Sequence, residues 1–182
     1  MSNPTGPSGT KRGPVPDPDR YMDSSEQRRT HRLTITAPLT SCILAATLYM
    51  LTLPWLPKVW VSHVDGQGTL TYAPHWPLAL VSLLAAALAF GISRLLTREH
   101  TQAGHWHDLE KGIVVAVLSA GYGFLVALLA TVAASVGRAP EELGTGLIGL
   151  GLLGFVLGLI GAIAVHAPAL PRARVDRWTP HY

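Results

Sequence analysis

Four long apolar runs constrain this sequence more than any other feature. They cover residues 33–53, 77–96, 112–136 and 143–165. An α-helix needs about 20 such residues to cross the hydrocarbon core of a bilayer. Only 14% of the 182 residues are charged, whereas about 25% is typical of a soluble domain. The sequence therefore predicts an all-α fold, a four-helix polytopic membrane bundle.

The apolar runs divide the chain into three regions. Residues 1–30 contain five prolines and three glycines and almost no large apolar side chains, so we expect a disordered tail. Residues 31–168 form the four-transmembrane domain, and residues 169–182 form a second tail. The loop 53–76 is long and carries three tryptophans and three prolines, which predicts a structured loop on the membrane surface.

The distribution of positive charge predicts the orientation. Twelve of the 14 Lys and Arg residues fall in the two tails or near the loop between helices 2 and 3, and the other two loops hold only Lys58 and Arg138. Positive residues are retained on the cytoplasmic side, so we expect cytoplasmic termini in a plasma-membrane protein. The net charge of +3 then reflects contact with anionic membrane lipids. It does not indicate a nucleic-acid partner, because no folded basic surface is predicted.

The outer loop contains the residues of a tight reversal. Pro54 and Pro57 stop helix 1, and Gly66 and Gly68 permit a turn. We therefore expect a compact hairpin on the outer leaflet in which Gly68 has a positive φ. Trp55 and Trp60 belong to the membrane interface in this interpretation.

Three polar residues of the same loop are candidate ligand-binding residues: His63, Asp65 and His75. Imidazole and carboxylate groups can bind a metal ion or a peptide. The alternative, which the sequence favours, is that histidine forms local hydrogen bonds that hold the hairpin together.

The order of residues in this loop resembles a bacterial membrane domain, the domain of unknown function 1648. The residues that carry the resemblance are Leu56, Pro57, Val61, His63 and Gly68, within a similar segment of about residues 39–95. The pattern departs from the family where Thr71 replaces the usual acid. The resemblance implies a relation to membrane proteins of the SdpI-type toxin-immunity family, and it supplies no catalytic residue.

Small residues recur every four positions in the last two helices. The repeating positions include Ser119, Gly123 and Ala127 in helix 3, and Gly154 and Gly158 in helix 4. Such residues let two helix backbones approach closely in lipid. The short connection between these helices predicts an antiparallel pair, and dimerisation through helix 4 is the alternative, so the oligomeric state stays open.

The loop between helices 2 and 3 contains the weak metal candidates His100, His105 and His107. It has no cysteine and no helical H-x-x-x-H spacing, so we expect neither a metal site nor another cofactor. The lone Cys42 falls inside helix 1 and is interpreted as a small apolar side chain.

These observations favour a non-enzymatic membrane protein that senses or neutralises an extracytoplasmic agent, with a protein or peptide partner at the outer loop. No nucleophile, base and oxyanion donor occur together, so we do not expect an enzyme. A small transporter subunit is an alternative, although no Asp, Glu or Lys falls at mid-membrane. A scaffold that recruits a partner through its disordered tail is a further alternative.

Overall fold

The computed structural model describes residues 22–103 and 107–172. These residues contain four helices that are long and apolar enough to cross a membrane, which confirms the predicted all-α, four-helix architecture. The elements in chain order are α1 (Ser24–His31), α2 (Ala37–Thr52), β1 (Val59–Val64), β2 (Leu70–Pro74), α3 (His75–Ala103), α4 (Asp108–Ser135) and α5 (Gly146–Ala169).

The first span is one continuous helical segment. A π-helical turn, Arg32–Thr36, joins α1 to α2, and a short 3-10 turn, Leu53–Trp55, follows α2. The helix begins at Ser24 because Asp23 caps it: the Asp23 carboxylate accepts hydrogen bonds from the backbone N–H groups of Ser25 at 2.7 Å and Glu26 at 2.8 Å.

The helical start corrects one predicted boundary. We expected disorder through residue 30, yet residues 24–30 are helical. The apolar runs could not locate this start, because a polar cap and not hydrophobic periodicity determines it. Residues 1–21 of the predicted tail lie outside the described residues, as do residues 173–182 of the second tail.

The other spans also extend beyond their apolar runs. α3 starts two residues before the predicted segment and continues to Ala103. α5 begins at Gly146, three residues after the predicted start at residue 143, and continues to Ala169. Backbone hydrogen bonds continue a helix past the point where its side chains become polar, so hydropathy underestimates helix length.

α4 is the central helix of the bundle. It packs against α5, α3 and α2, and Leu118, Leu125 and Leu128 on it are buried. In contrast, many leucines of α2, α3 and α5 are exposed, among them Leu44, Leu88 and Leu152. These outward side chains form the lipid-facing surface expected of a membrane bundle.

The loop after α2 folds into a β-hairpin. β1 and β2 pair in antiparallel fashion from Val59 opposite Pro74 to Val64 opposite Leu70, with an irregularity between Val61 and His63. The base of the hairpin packs into the bundle: the buried Trp60 and Val61 share an apolar cluster with residues of α2, α4 and α5, which include Tyr49, Leu128 and Leu147. The predicted structured loop is therefore a hairpin set on one end of the bundle.

Candidate functional site

The turn of the hairpin is built around Asp65. Its carboxylate accepts hydrogen bonds from the backbone N–H groups of Gln67 at 2.9 Å and Thr69 at 2.7 Å, and its carbonyl oxygen accepts one from Gly68 at 3.0 Å. The Thr69 N–H, more than any other group, lowers the pKa of the Asp65 carboxyl. The turn is therefore stabilised at neutral pH, and this contribution is lost as the pH falls through the lowered pKa. Asp65 therefore has a structural role in the turn, with both of these backbone N–H groups bound to Oδ1.

Gly68 adopts the left-handed conformation, with φ of +85°. Gly66 does not have a positive φ, and a Cβ atom added at either glycine meets no described atom within 4 Å. The two positions thus offer the same open space and differ in backbone conformation. A difference in stability between the same substitution at Gly66 and at Gly68 would therefore report backbone strain and not steric crowding.

We expect Gly68→Val to destabilise the protein by about 1–3 kcal/mol, because a β-branched residue is strained at positive φ. Gly66→Val is the matched control and should cost clearly less. Thermal unfolding of the two purified variants in the same detergent measures the difference. Equal melting temperatures for the two variants would contradict a strained turn at Gly68.

His75 joins the hairpin to the bundle at the first residue of α3. Its Nδ1 atom lies 2.7 Å from the Tyr49 hydroxyl oxygen, and the two groups share a hydrogen bond. The centre of its ring lies 5.9 Å from that of Tyr49 and 5.6 Å from that of Trp60. His75 therefore contacts α2 and β1 at once, and its position at this junction serves to hold the hairpin.

His63 differs from the other two candidates because it is exposed near the tip of the hairpin, opposite Thr71. The neighbouring Ser62 hydroxyl donates to the Thr71 carbonyl at 3.1 Å. The side chain of His63 makes no hydrogen bond within the part of the chain that the structure describes. Unlike the sequence interpretation, which favoured a structural role for histidine here, the geometry leaves this imidazole accessible.

The three candidates do not converge on one ligand position. His63 lies four positions after Val59, which is paired with Pro74, the residue before His75. Four positions correspond to about 13 Å along a strand. Across residues 22–103 and 107–172, no group of three or more His, Cys, Asp or Glu side chains is arranged to hold a metal ion. The hairpin thus has a structural base and an exposed tip.

The prolines of the loop lie where the chain leaves the membrane helix. Pro54 lies in the 3-10 turn and is exposed, whereas Pro57, between this turn and β1, is buried. A backbone hydrogen bond of 2.8 Å from the Gly137 N–H to the Trp55 carbonyl ties this turn to the segment after α4.

The histidines of the loop between α3 and α4 do not form a described site. His105 and the side chain of His100 lie outside the described residues. His107 precedes α4, where its backbone N–H donates to the Glu110 carboxylate at 2.9 Å. Glu110 thereby satisfies one donor at the start of the helix.

The glycines of α5 lie against the backbone of α4. A Cβ atom added at Gly158 would lie 2.9 Å from the Tyr122 carbonyl oxygen and 2.8 Å from the Val126 Cβ. One added at Gly154 would lie 2.8 Å from the Ala130 Cβ and 3.0 Å from the Val126 carbonyl oxygen. The two backbones are therefore in direct contact.

The small residues of α4 have different surroundings. The Phe155 ring of α5 covers Gly123, where an added Cβ would lie 2.9 Å from the ring. The Cα of Ala127 lies 3.2 Å from a Cβ built on Gly154. Ser119 is fully buried, and its hydroxyl has no hydrogen-bond partner among the described residues.

His166 is a buried polar residue that the sequence analysis missed. It is 5% exposed, its Nδ1 lies 2.8 Å from the Ala162 carbonyl oxygen, and its ring centre lies 5.2 Å from that of Tyr122. The apolar run ended one residue earlier. Continuing the four-residue spacing of Gly154 and Gly158 through Ala162 would have found it, since all four positions are buried.

Trp60 is the second residue whose role the sequence did not indicate. Trp55 is 62% exposed, as an interfacial tryptophan should be, but Trp60 is only 2% exposed. The sequence interpretation, which assigned both rings to the membrane interface, did not predict that protein covers Trp60. Its indole N–H has no hydrogen-bond partner within residues 22–103 and 107–172, so its contribution comes from apolar packing and not from hydrogen bonding.

No known protein family, curated protein or solved structure matches this chain. The resemblance to the domain of unknown function 1648 stays a prediction, and the functional argument depends on the geometry of the hairpin and the bundle.

Proposed function

We propose that this chain is a non-enzymatic integral membrane protein that binds an extracytoplasmic peptide or protein at the tip of its hairpin, in a sensing or immunity-like role. One observation carries the proposal. The base of the hairpin is packed into the bundle through Trp60 and Val61, while residues 65–69 and the adjacent His63 are exposed. An exposed element held by a rigid base loses little entropy on binding.

The chemistry of the tip favours a polypeptide ligand in an extended conformation. β1 and β2 form a two-stranded sheet in the described chain, so each strand has an edge that pairs with no other described strand. An extended peptide can add to such an edge through backbone hydrogen bonds, and side chains near the edge then provide specificity. His63 and the exposed Tyr72 supply a hydrogen-bonding group and an aromatic ring for that purpose.

Two sequence observations support an extracytoplasmic location of the hairpin. The asymmetry of Lys and Arg favours cytoplasmic termini in the plasma membrane, and this orientation would put the hairpin outside. The resemblance of Leu56, Pro57, His63 and Gly68 to the domain found with SdpI-type proteins favours an immunity-like role.

The test uses a photo-crosslinking amino acid at His63 in intact cells. We expect a crosslink to an extracytoplasmic polypeptide that is absent when the same amino acid replaces Leu84, a lipid-facing residue of α3. We also expect His63→Ala to leave the melting temperature unchanged, since exposed substitutions away from structural contacts usually change stability by less than about 0.5 kcal/mol.

Orientation is checked in the same cells. A cysteine at Gly66 should react with an impermeant thiol reagent added outside, and one at Gly104 should not. Labelling at Gly104 alone, or identical crosslinks from His63 and Leu84, would overturn the proposal.

A further inference from the structure

An open, solvent-exposed cavity of about 510 Å³ lies along the surface of the first membrane span, at the end of the bundle opposite the hairpin. Among the described residues its lining consists of Arg28, His31, Arg32, Thr36, Ala37 and Thr40. The lining combines two arginines and a histidine with two hydroxyl groups, and no described carboxylate lines it. These basic and hydroxyl groups favour a ligand that carries negative charge at one end.

The π-helical turn gives the cavity its shape. The Ala37 N–H donates to the Arg32 carbonyl, which closes a wider turn than an α-helical one. A π turn holds an extra residue and so shifts every later residue around the helix axis, and such turns are frequent at functional sites. Here the shifted Thr36 and Thr40 continue the groove that begins at Arg28 and Arg32.

The depth of the cavity in the bilayer follows from the length of the span. The exposed Trp55 marks one membrane interface, and about 20 helical residues cross the hydrocarbon core. The opposite boundary therefore falls near residue 35. Arg32 then lies about 5 Å outside this boundary, within the headgroup layer, which is roughly 5–8 Å thick on each side. Arg28 lies about 10 Å outside it, at the outer edge of the headgroups, from where its long side chain can reach back toward a phosphate. Thr36 lies at the start of the hydrocarbon, and Thr40 lies about 8 Å inside it.

The hydroxyl groups of Thr36 and Thr40 lie where they could contact the same anionic ligand. Thr40 donates to the Thr36 carbonyl at 2.9 Å, so its own proton is used within the helix. The Thr36 hydroxyl makes no hydrogen bond in the described part of the chain. It is thus free to donate to an ester carbonyl one turn below the arginines.

We propose that this cavity binds one anionic glycerophospholipid, with its phosphate between Arg28 and Arg32 and its glycerol esters beside Thr36. Arginine guanidinium groups bind phosphate through paired, charge-assisted hydrogen bonds. The site is on the N-terminal side of the membrane and is independent of the hairpin and of the proposed peptide recognition.

The test measures phosphatidylglycerol binding to the full chain in detergent by native mass spectrometry, with phosphatidylcholine as the zwitterionic comparison. Because each basic residue near an anionic surface contributes about fivefold, Arg28→Gln with Arg32→Gln should weaken phosphatidylglycerol binding roughly 30-fold. The control combines Arg29→Gln with Arg94→Gln, which removes the same charge from the predicted cytoplasmic side of the membrane, outside the cavity, and should leave the affinity unchanged.

A second variant keeps the charge and fills the space. Ala37→Phe should also weaken phosphatidylglycerol binding, and circular dichroism checks that each variant is folded. Equal losses in the two arginine pairs would show general surface attraction and overturn the site. Displacement of the lipid by millimolar inorganic phosphate would identify free phosphate as the ligand and overturn the lipid assignment.

Discussion

Gly158→Ala is expected to destabilise the bundle by about 1–3 kcal/mol, the usual cost of overpacking a close contact. The added methyl group would meet the Tyr122 carbonyl oxygen at 2.9 Å and the Val126 Cβ at 2.8 Å. A backbone oxygen cannot rotate away as the end of a long side chain can. Relief therefore requires α4 and α5 to separate, and the packing of α5 on the central helix is lost over several turns.

Gly161→Ala is the matched control for this prediction. Gly161 is on the same helix, and a Cβ atom added there meets no described atom within 4 Å. Unfolding of the purified proteins by a denaturing detergent compares the two variants. Equal stability of Gly158→Ala and Gly161→Ala would mean that α4 and α5 are not in direct backbone contact at Gly158.

The contrast between these glycines also bears on oligomerisation. Gly154 and Gly158 are covered by α4 within one chain, whereas Gly149 and Gly161 of the same helix have open surroundings among the described residues. The first pair is used for intramolecular packing. Dimerisation through those two glycines would require α4 to move aside, so the geometry favours the antiparallel pair over that alternative.

Much of the fold could be predicted because the bilayer imposes a simple length requirement on each apolar run. The ends of the helices were harder to predict from the sequence. The start at Ser24 depends on the polar cap of Asp23, and the extension of α5 past residue 165 includes His166, which ends an apolar run by hydropathy. Neither signal has the periodicity on which the predicted spans depend.

In the candidate site, only the contacts between residues close in sequence could be predicted. The turn was predicted from Gly66 and Gly68, and the hydrogen bonds that form it join residues at most four positions apart. The part of Asp65 in those bonds was not predicted, since Asp65 was taken as a candidate ligand-binding residue. The role of His75 could not be predicted, because its partner Tyr49 is 26 residues away on another helix. A contact of that kind depends on how the helices pack, and hydropathy carries no information about it.

The position of Trp60 illustrates the same limit. Tryptophan is common at membrane interfaces, so composition alone assigns Trp55 and Trp60 the same environment. The structure separates them because β1 turns back over the bundle, and the cluster that contains Leu143 and Leu147 covers the second indole. The three tryptophans of this loop therefore provide an internal comparison of buried and exposed rings.

Trp60→Ala is expected to cost about 3–5 kcal/mol, the range for removing a large buried aromatic side chain. The ring contacts His75 and packs with Val61 in the cluster beneath the hairpin, so its loss leaves a cavity where the hairpin meets the bundle. We expect the hairpin to detach before the helices unfold. The melting temperature should fall, and limited proteolysis should cut within residues 59–74 under conditions where the parent protein is resistant.

Trp55→Ala and Trp76→Ala are the matched controls, since their side chains are 62% and 59% exposed. Both should preserve protease resistance in the hairpin and change stability far less than Trp60→Ala. Tyr49→Phe gives an intermediate case: it keeps the ring and removes the hydrogen bond to His75, so a cost of about 1 kcal/mol is expected. If Trp60→Ala retained both the melting temperature and the protease resistance of the parent, the hairpin would not be anchored through this residue. The rigid base on which the proposed recognition depends would then have to come from other contacts.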